Sequence, residues 1–183
     1  LEDAREFDVD TRAGLKHITV LSADAESAVV SVGMGPIEVT GVSTASMGGA
    51  QFAGIGVDVG NPHLACVIPG LTAEALAGME FSQPVFDPEF FPAGVNVEVL
   101  TELTGGAVHM RVWERGVGET RSCGTGVCAA AIGTAFWSGD VDASSEYTVE
   151  VPGGTLRVRL LPGREVELAG PAVLVADGTT TLV

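Results

Sequence analysis

Residues Gly126–Trp137 form the one long stretch in this chain whose composition demands a helix. It is apolar almost throughout, Ile132 and Phe136 recur at i and i+4, and Gly139 supplies a stop. A helix without a polar face has to be enclosed by other elements. Nearly everything else reads as short β-like runs, divided by glycine, proline or acidic turns at the spacing of an all-β sheet or barrel. Strands around one apolar helix predict a closed or nearly closed barrel with that helix as its plug. Gly133 inside the helix costs about 1 kcal/mol relative to alanine. That cost is tolerable where another element must approach closely.

The predicted strands are Lys16–Leu21 and Ser27–Val32, a hairpin around 22–26, followed by Ile37–Val42, Gln51–Val59 and Leu64–Ile68. Val95–Leu100 and Val108–Glu114 come next, the latter alternating Val108, Met110 and Val112 against His109, Arg111 and Trp113. Tyr147–Val151, Thr155–Leu161, Glu165–Leu168 and Ala172–Ala176 complete the set. A second, short helix is predicted over Thr72–Met79, with Thr72 as its N-cap.

A net charge of −15, with nine lysines and arginines, disfavours nucleic acid or an anionic membrane as partner. No apolar run has the length of a membrane-spanning helix. Three cysteines without disulfide-framework spacing favour a reducing, cytoplasmic setting, and neither they nor the scattered histidines give a metal-binding pattern. The chain starts at Leu1 without methionine or signal peptide, and is expected to be part of a longer polypeptide.

Chemistry concentrates just before the long helix. Cys123 ends a glycine-rich turn, flanked by Ser122, Gly124, Thr125 and Gly126. Free backbone N–H groups and a positive helix end would lie beside its sulfur and seat an anion. That setting is expected to lower the thiol pKa and leave the sulfur exposed and reactive. Cys128, one turn in among alanines, reads as a buried structural residue. Asn61, held extended before Pro62, projects a carboxamide that could bind a ligand; an ordinary turn with His63 capping a neighbouring strand is the other reading. Asn96 is an amide within an apolar strand and needs a partner, backbone or ligand. Glu114 and Arg115 stand at the mouth of the glycine turn, where Arg115 suits a carboxylate and Glu114 an ammonium. Glu119 and Arg121 read as loop structure.

Taken in order, Met34-Gly35-Pro36, Gly60-Asn61-Pro62-His63, Val95-Asn96-Val97, Trp113-Glu114-Arg115-Gly116, Gly118-Glu119-Thr120 and Cys123-Gly124-Thr125-Gly126 resemble the diaminopimelate epimerase family, as do Pro152-Gly153-Gly154 and Gly170-Pro171 further on. The resemblance implies an α+β fold, a mostly antiparallel, barrel-like domain wrapped around a central helix. It implies a family that interconverts LL- and meso-diaminopimelate with no pyridoxal phosphate and no metal. One cysteine thiolate removes the α-proton and a second thiol reprotonates the opposite face. On that resemblance Cys123 is one of the two bases, and the N–H groups of Gly124 and Thr125 hold the substrate α-carboxylate. Asn61, Asn96, Glu114 and Arg115 fall on substrate-binding positions, and Glu114 and His63 on positions close to the reacting centre. Lys16, the only lysine, lies in a strand pattern away from these motifs and leaves no evident Schiff-base residue.

The family has two similar domains, each with a Cys-Gly-x-Gly turn, and its active site lies between them. This chain has one such turn. Residues 1–33 are therefore expected to be closing strands of an N-terminal domain that is otherwise missing, residues 34–171 the C-terminal domain, and residues 172–183 a strand returning to the first. The missing domain would be its partner, a homodimer is conceivable, and the fragment alone would be inactive. The alternatives are another isomerase of the same fold, proline racemase-like or phenazine isomerase-like, or a non-catalytic anion-binding module.

Overall fold

The computed structural model describes residues 5–140 and 145–181. The outermost residues of the expected terminal domains, 1–4 and 182–183, lie outside them.

Among the described residues thirteen strands hydrogen-bond into one sheet, antiparallel except where β6 (Pro62–Val67) runs beside β8 (Asn96–Leu100) and β11 (Glu146–Val151) beside β9 (Ala107–Glu114). One end is a ribbon of β1 (Glu6–Thr11), β2 (Gly14–Ala23) and β3 (Ser27–Pro36). β3 then pairs along β13 (Glu165–Val173), which continues through β12 (Gly154–Leu160) to β11. The other end runs from β6 through β5 (Ala50–Asp58) and β4 (Glu38–Met47) to the short β7 (Val85–Phe86). β10 (Gly118–Thr120) folds back on β9 as a hairpin. Among the described residues no ladder joins β1 to β7, so the sheet curls around its helix without closing.

That helix, α2 (Gly124–Ser138), contacts β5, β6, β8, β9, β11, β12 and β13. Every residue from Gly126 to Ala135 is buried, the outcome its apolar composition requires. It begins two residues earlier than predicted, with Cys123 as N-cap, and ends at Gly139 in the left-handed region (φ 78°). The close approach anticipated at Gly133 is to β6: a Cβ there would lie 2.6 Å from Ala65 Cβ. The second helix, α1 (Ala73–Gly78), carries the expected cap, Thr72 Oγ1 accepting from the Ala75 N–H at 3.1 Å.

β8 is buried on both faces. Val97 and Val99 join Leu64 and Cys66 of β6 in one apolar cluster with Phe52, Leu76 and Phe91. Leu100 and Ala65 belong to the other cluster, packed against α2. Two-residue periodicity therefore aims Asn96 and Glu98 toward α2 as well.

Some strands differ from expectation. β4 continues past Val42 to Met47 because Ser43, Ala45 and Met47 alternate inward, which small polar residues did not advertise. The break expected at Gly170-Pro171 is absent and β13 runs through to Val173. β12 stops pairing at Ala169, so Pro171 sits where only β3 is a neighbour and its missing N–H interrupts no ladder on the other side. β1, β7 and β10 were not predicted.

Candidate active site

Cys123 precedes α2 in extended backbone (φ −135°, ψ 113°), and its carbonyl accepts the first helical bond from Val127 N–H at 2.8 Å. The N–H groups of Gly124, Thr125 and Gly126 therefore surround the cysteine at the positive helix end. Thr125 Oγ1 lies 3.4 Å from the sulfur. The expectation of an exposed, acidified thiol is corrected here. Cys123 is only 9% exposed, and burial pushes its pKa upward. Hydrogen bonds from Thr125 and the Gly126 N–H pull it down, while Glu114 and Glu98 add to the rise. The helix end is as anticipated, but desolvation outweighs it.

The other two thiols lie elsewhere. Cys66 is fully buried on the face of β6 turned away from α2, and Cys128 is sealed in the core with its pKa pushed up to about 12 by burial. Lys16 donates from Nζ to the Met34 carbonyl at 2.8 Å.

Three strand ends bring the remaining candidates toward Cys123. β9 delivers Glu114, whose Oε1 accepts from Thr120 Oγ1 at 2.5 Å across the β9–β10 hairpin. Asn96 opens β8 and accepts the Arg115 backbone N–H on Oδ1 at 2.8 Å, clamping that hairpin. The backbone therefore satisfies one end of the Asn96 amide, and Nδ2 makes no hydrogen bond among the described residues. Arg115 donates to the Ala93 carbonyl at 2.6 Å and lays its stem over Gly94, so its guanidinium is already anchored. β6 delivers His63, fully buried, with Nε2 3.1 Å from Asn61 Oδ1 and Nδ1 2.6 Å from Glu98 Oε1. His63 is thus a member of a buried hydrogen-bond chain and not a strand cap. Arg111 grips Glu119 at 2.7 Å and Arg121 donates to the Pro152 carbonyl at 2.8 Å, structural contacts in both cases.

Glu98 escaped the sequence reading. It is fully buried, burial raises its pKa, and a Cβ on Gly126 would lie 2.7 Å from its Oε1. It therefore links the first turn of α2 to His63 and Asn61. The signal was present: an acid between Val97 and Val99 in an apolar strand, on the same face as the Asn96 already singled out. A separate cleft lined by Leu76, His109, Arg111 and Glu119 lies outside the sheet and shares none of these groups.

This α+β architecture is shared with solved structures that show the fold alone. A hydroxyproline epimerase from Agrobacterium vitis superposes with TM-score 0.63 at 21% identity, over 94% of this chain and 59% of that one. A Bacillus anthracis phenazine biosynthesis protein of the PhzF family gives 0.62 at 14% identity, over 95% and 68%. The family profile for diaminopimelate epimerase matches residues 55–175, and the chain belongs to that family. It is 54% identical over 180 residues to the diaminopimelate epimerase of Corynebacterium glutamicum, covering 97% of this chain and 63% of that protein. The chain therefore spans less than two thirds of that relative's length. No helix among the described residues is long and apolar enough to cross a membrane.

Proposed function

We propose that this chain supplies one half of the active site of an epimerase that interconverts LL- and meso-diaminopimelate without pyridoxal phosphate or metal. The observation that carries the reading is a single thiol at the start of a buried helix, ringed by N–H donors, with a carboxylate and two amides delivered to the same place. Removing a proton α to a carboxylate needs a desolvated base and donors that stabilise the developing charge. Cys123 is the base, and the N–H groups of Gly124 and Thr125 take the α-carboxylate. Glu114 receives the ammonium, and Arg115, Asn61 and Asn96 hold the polar ends. Burial keeps Cys123 protonated in the unliganded chain, the form that delivers a proton. An ammonium beside the sulfur would stabilise the thiolate and turn it into the abstracting form.

Inversion needs a second acid–base group on the opposite face, and Cys66 and Cys128 are sealed in the core with no exposure to a substrate. We assign that group to a domain of the same enzyme that residues 1–33 and 172–183 help to complete, with residues 34–171 forming the C-terminal domain. The ribbon supports this assignment. No described residue before Ile37 is buried, while Leu15, Leu21, Val173 and Leu174 are exposed. A sheet needs an apolar layer on one face, and this ribbon has none within the described chain.

The test is α-proton exchange in deuterated water with diaminopimelate and the enzyme assembled from this chain and a polypeptide carrying the other domain. Exchange and inversion should both occur, and Cys123→Ser should remove inversion. Binding of the amino acid with no exchange in the assembled enzyme would leave an anion-binding module, and turnover of proline or a phenazine precursor instead would point to the sister isomerases.

A further inference from the structure

Glu98 has no part in the reaction proposed above, yet it is placed with unusual care. Its side chain and that of His63 are both fully buried. The Glu98 Oε1 to His63 Nδ1 separation is 2.6 Å, and on the other side of the ring Nε2 faces Asn61 Oδ1 at 3.1 Å. Glu98 Oε2 has no hydrogen-bond partner among the described residues. Space for the carboxyl exists because position 126 is glycine.

A carbonyl oxygen only accepts, so the Asn61 contact requires a hydrogen on Nε2. Two proton arrangements meet that requirement. Glu98 can be protonated and donate to Nδ1, or it can be ionised and accept from an imidazolium. The two differ only in where one proton lies along the 2.6 Å contact. A third arrangement, ionised Glu98 with a neutral ring protonated on Nδ1 alone, would bare Nε2 and reverse the Asn61 amide. It would also leave a net negative charge in a closed interior, with one carboxylate oxygen unpartnered. Glu114 on β9 is a second carboxylate acting on Glu98 and makes that worse, while the Cys123 thiol at the start of α2 adds no charge of its own. Burial pushes Glu98 upward, in the direction of holding the proton, and outweighs the opposing pull of His63; Glu114 adds to the rise.

We infer that Glu98 is a positioning residue: with His63 it shares one proton, which keeps a hydrogen on Nε2 and fixes the Asn61 amide with both Nδ2 hydrogens free for a ligand carboxylate. The identity of that ligand rests on the function proposed above; the proton arrangement does not. Asn61 Nδ2 makes no hydrogen bond among the described residues, as a donor waiting for a ligand should not. A dyad that is neutral overall also spares Cys123 a second negative neighbour, beside Glu114, when its thiolate forms.

Ring 15N NMR of this chain labelled at histidine, with the His63 signal assigned by its loss in His63→Gln, reads the arrangement directly. At neutral pH Nε2 should be protonated and Nδ1 should show a shared or bound proton. Glu98→Gln should keep Nε2 protonated, because its amide can donate to Nδ1, whereas Glu98→Leu should leave Nδ1 with neither a shared nor a bound proton. In the assembled enzyme Glu98→Leu should raise KM on the order of tenfold, with Glu98→Gln close to the parent. A neutral wild-type ring with bare Nε2 overturns the inference, and so does an equal rise in KM for both variants. The spectrum of the unaltered chain decides the matter even where Glu98→Leu does not fold or no diaminopimelate turnover is found.

Discussion

Cys123 shows two local effects competing at a single sulfur. The helix end and the Thr125 hydroxyl favour a thiolate, and desolvation with two nearby carboxylates opposes it and prevails. Iodoacetamide should therefore modify folded Cys123 more slowly at pH 7 than the same cysteine in urea, with a rate midpoint above the usual thiol value of about 8.5. It should still react before Cys66 and Cys128, which have no exposure. Peptide mapping across pH checks both statements, and a midpoint below that of the unfolded chain would contradict the first. Gly126 makes a second point at this scale. A methyl group there meets Glu98 Oε1 at 2.7 Å, and Glu98 is held by His63 from behind. Gly126→Ala should cost about 1–3 kcal/mol of stability in urea unfolding. It should also alter the His63 ring signals, which a purely helical effect would leave alone.

The elements were legible wherever one face had a clear partner. α2 followed from its uniform apolarity, β9 from its alternation, and the β2–β3 hairpin from its turn, where Asp24 accepts the Glu26 and Ser27 N–H groups at 2.9 and 2.8 Å. Length was less legible, because a ladder partner and not the strand's own side chains decides where pairing stops. β4 runs on through Ser43–Ser46 between β5 and β7, and β13 runs through Pro171 along β3. Packing between elements also sets the sign of a substitution that propensity alone would misjudge. Alanine at 133 gains about 1 kcal/mol as a helix former. Its Cβ would nevertheless lie 2.6 Å from Ala65 Cβ on β6, which cannot retreat from its neighbours β5 and β8. Gly133→Ala should therefore be destabilising by about 1–2 kcal/mol in chemical denaturation; a stabilised variant would show that α2 and β6 can part without cost.

The whole molecule divides into a dense region around α2 and a ribbon without a core. Among the described residues, all of the buried hydrophobic ones lie from Ile37 to Val166. β1, β2, β3, the end of β13 and the segment just after it offer half-buried and exposed apolar side chains instead, with Leu15 at 67% and Val175 at 90% exposure. Apolar area of this kind favours association. Size-exclusion chromatography of the chain alone should show self-association that disappears when the complementary domain is added, and the chain alone should show no appreciable epimerisation. A stable monomer that epimerises diaminopimelate would place the second base within these 183 residues and undo the assignment of the missing face.

The sequence by itself determined the helix, most of the strands and the family, and it singled out Cys123, Asn61, His63, Asn96, Glu114 and Arg115 as candidates, because composition, period and motif are properties of neighbours along the chain. The state of the thiol, the link through Glu98 and the protein partners of the Asn61 and Asn96 amide oxygens were decided only in three dimensions. Those depend on what lies across the fold: Glu98 comes within reach of Gly126 and His63 because β8 and β6 run parallel beneath the same helix end, and desolvation at Cys123 exists only once that helix is enclosed.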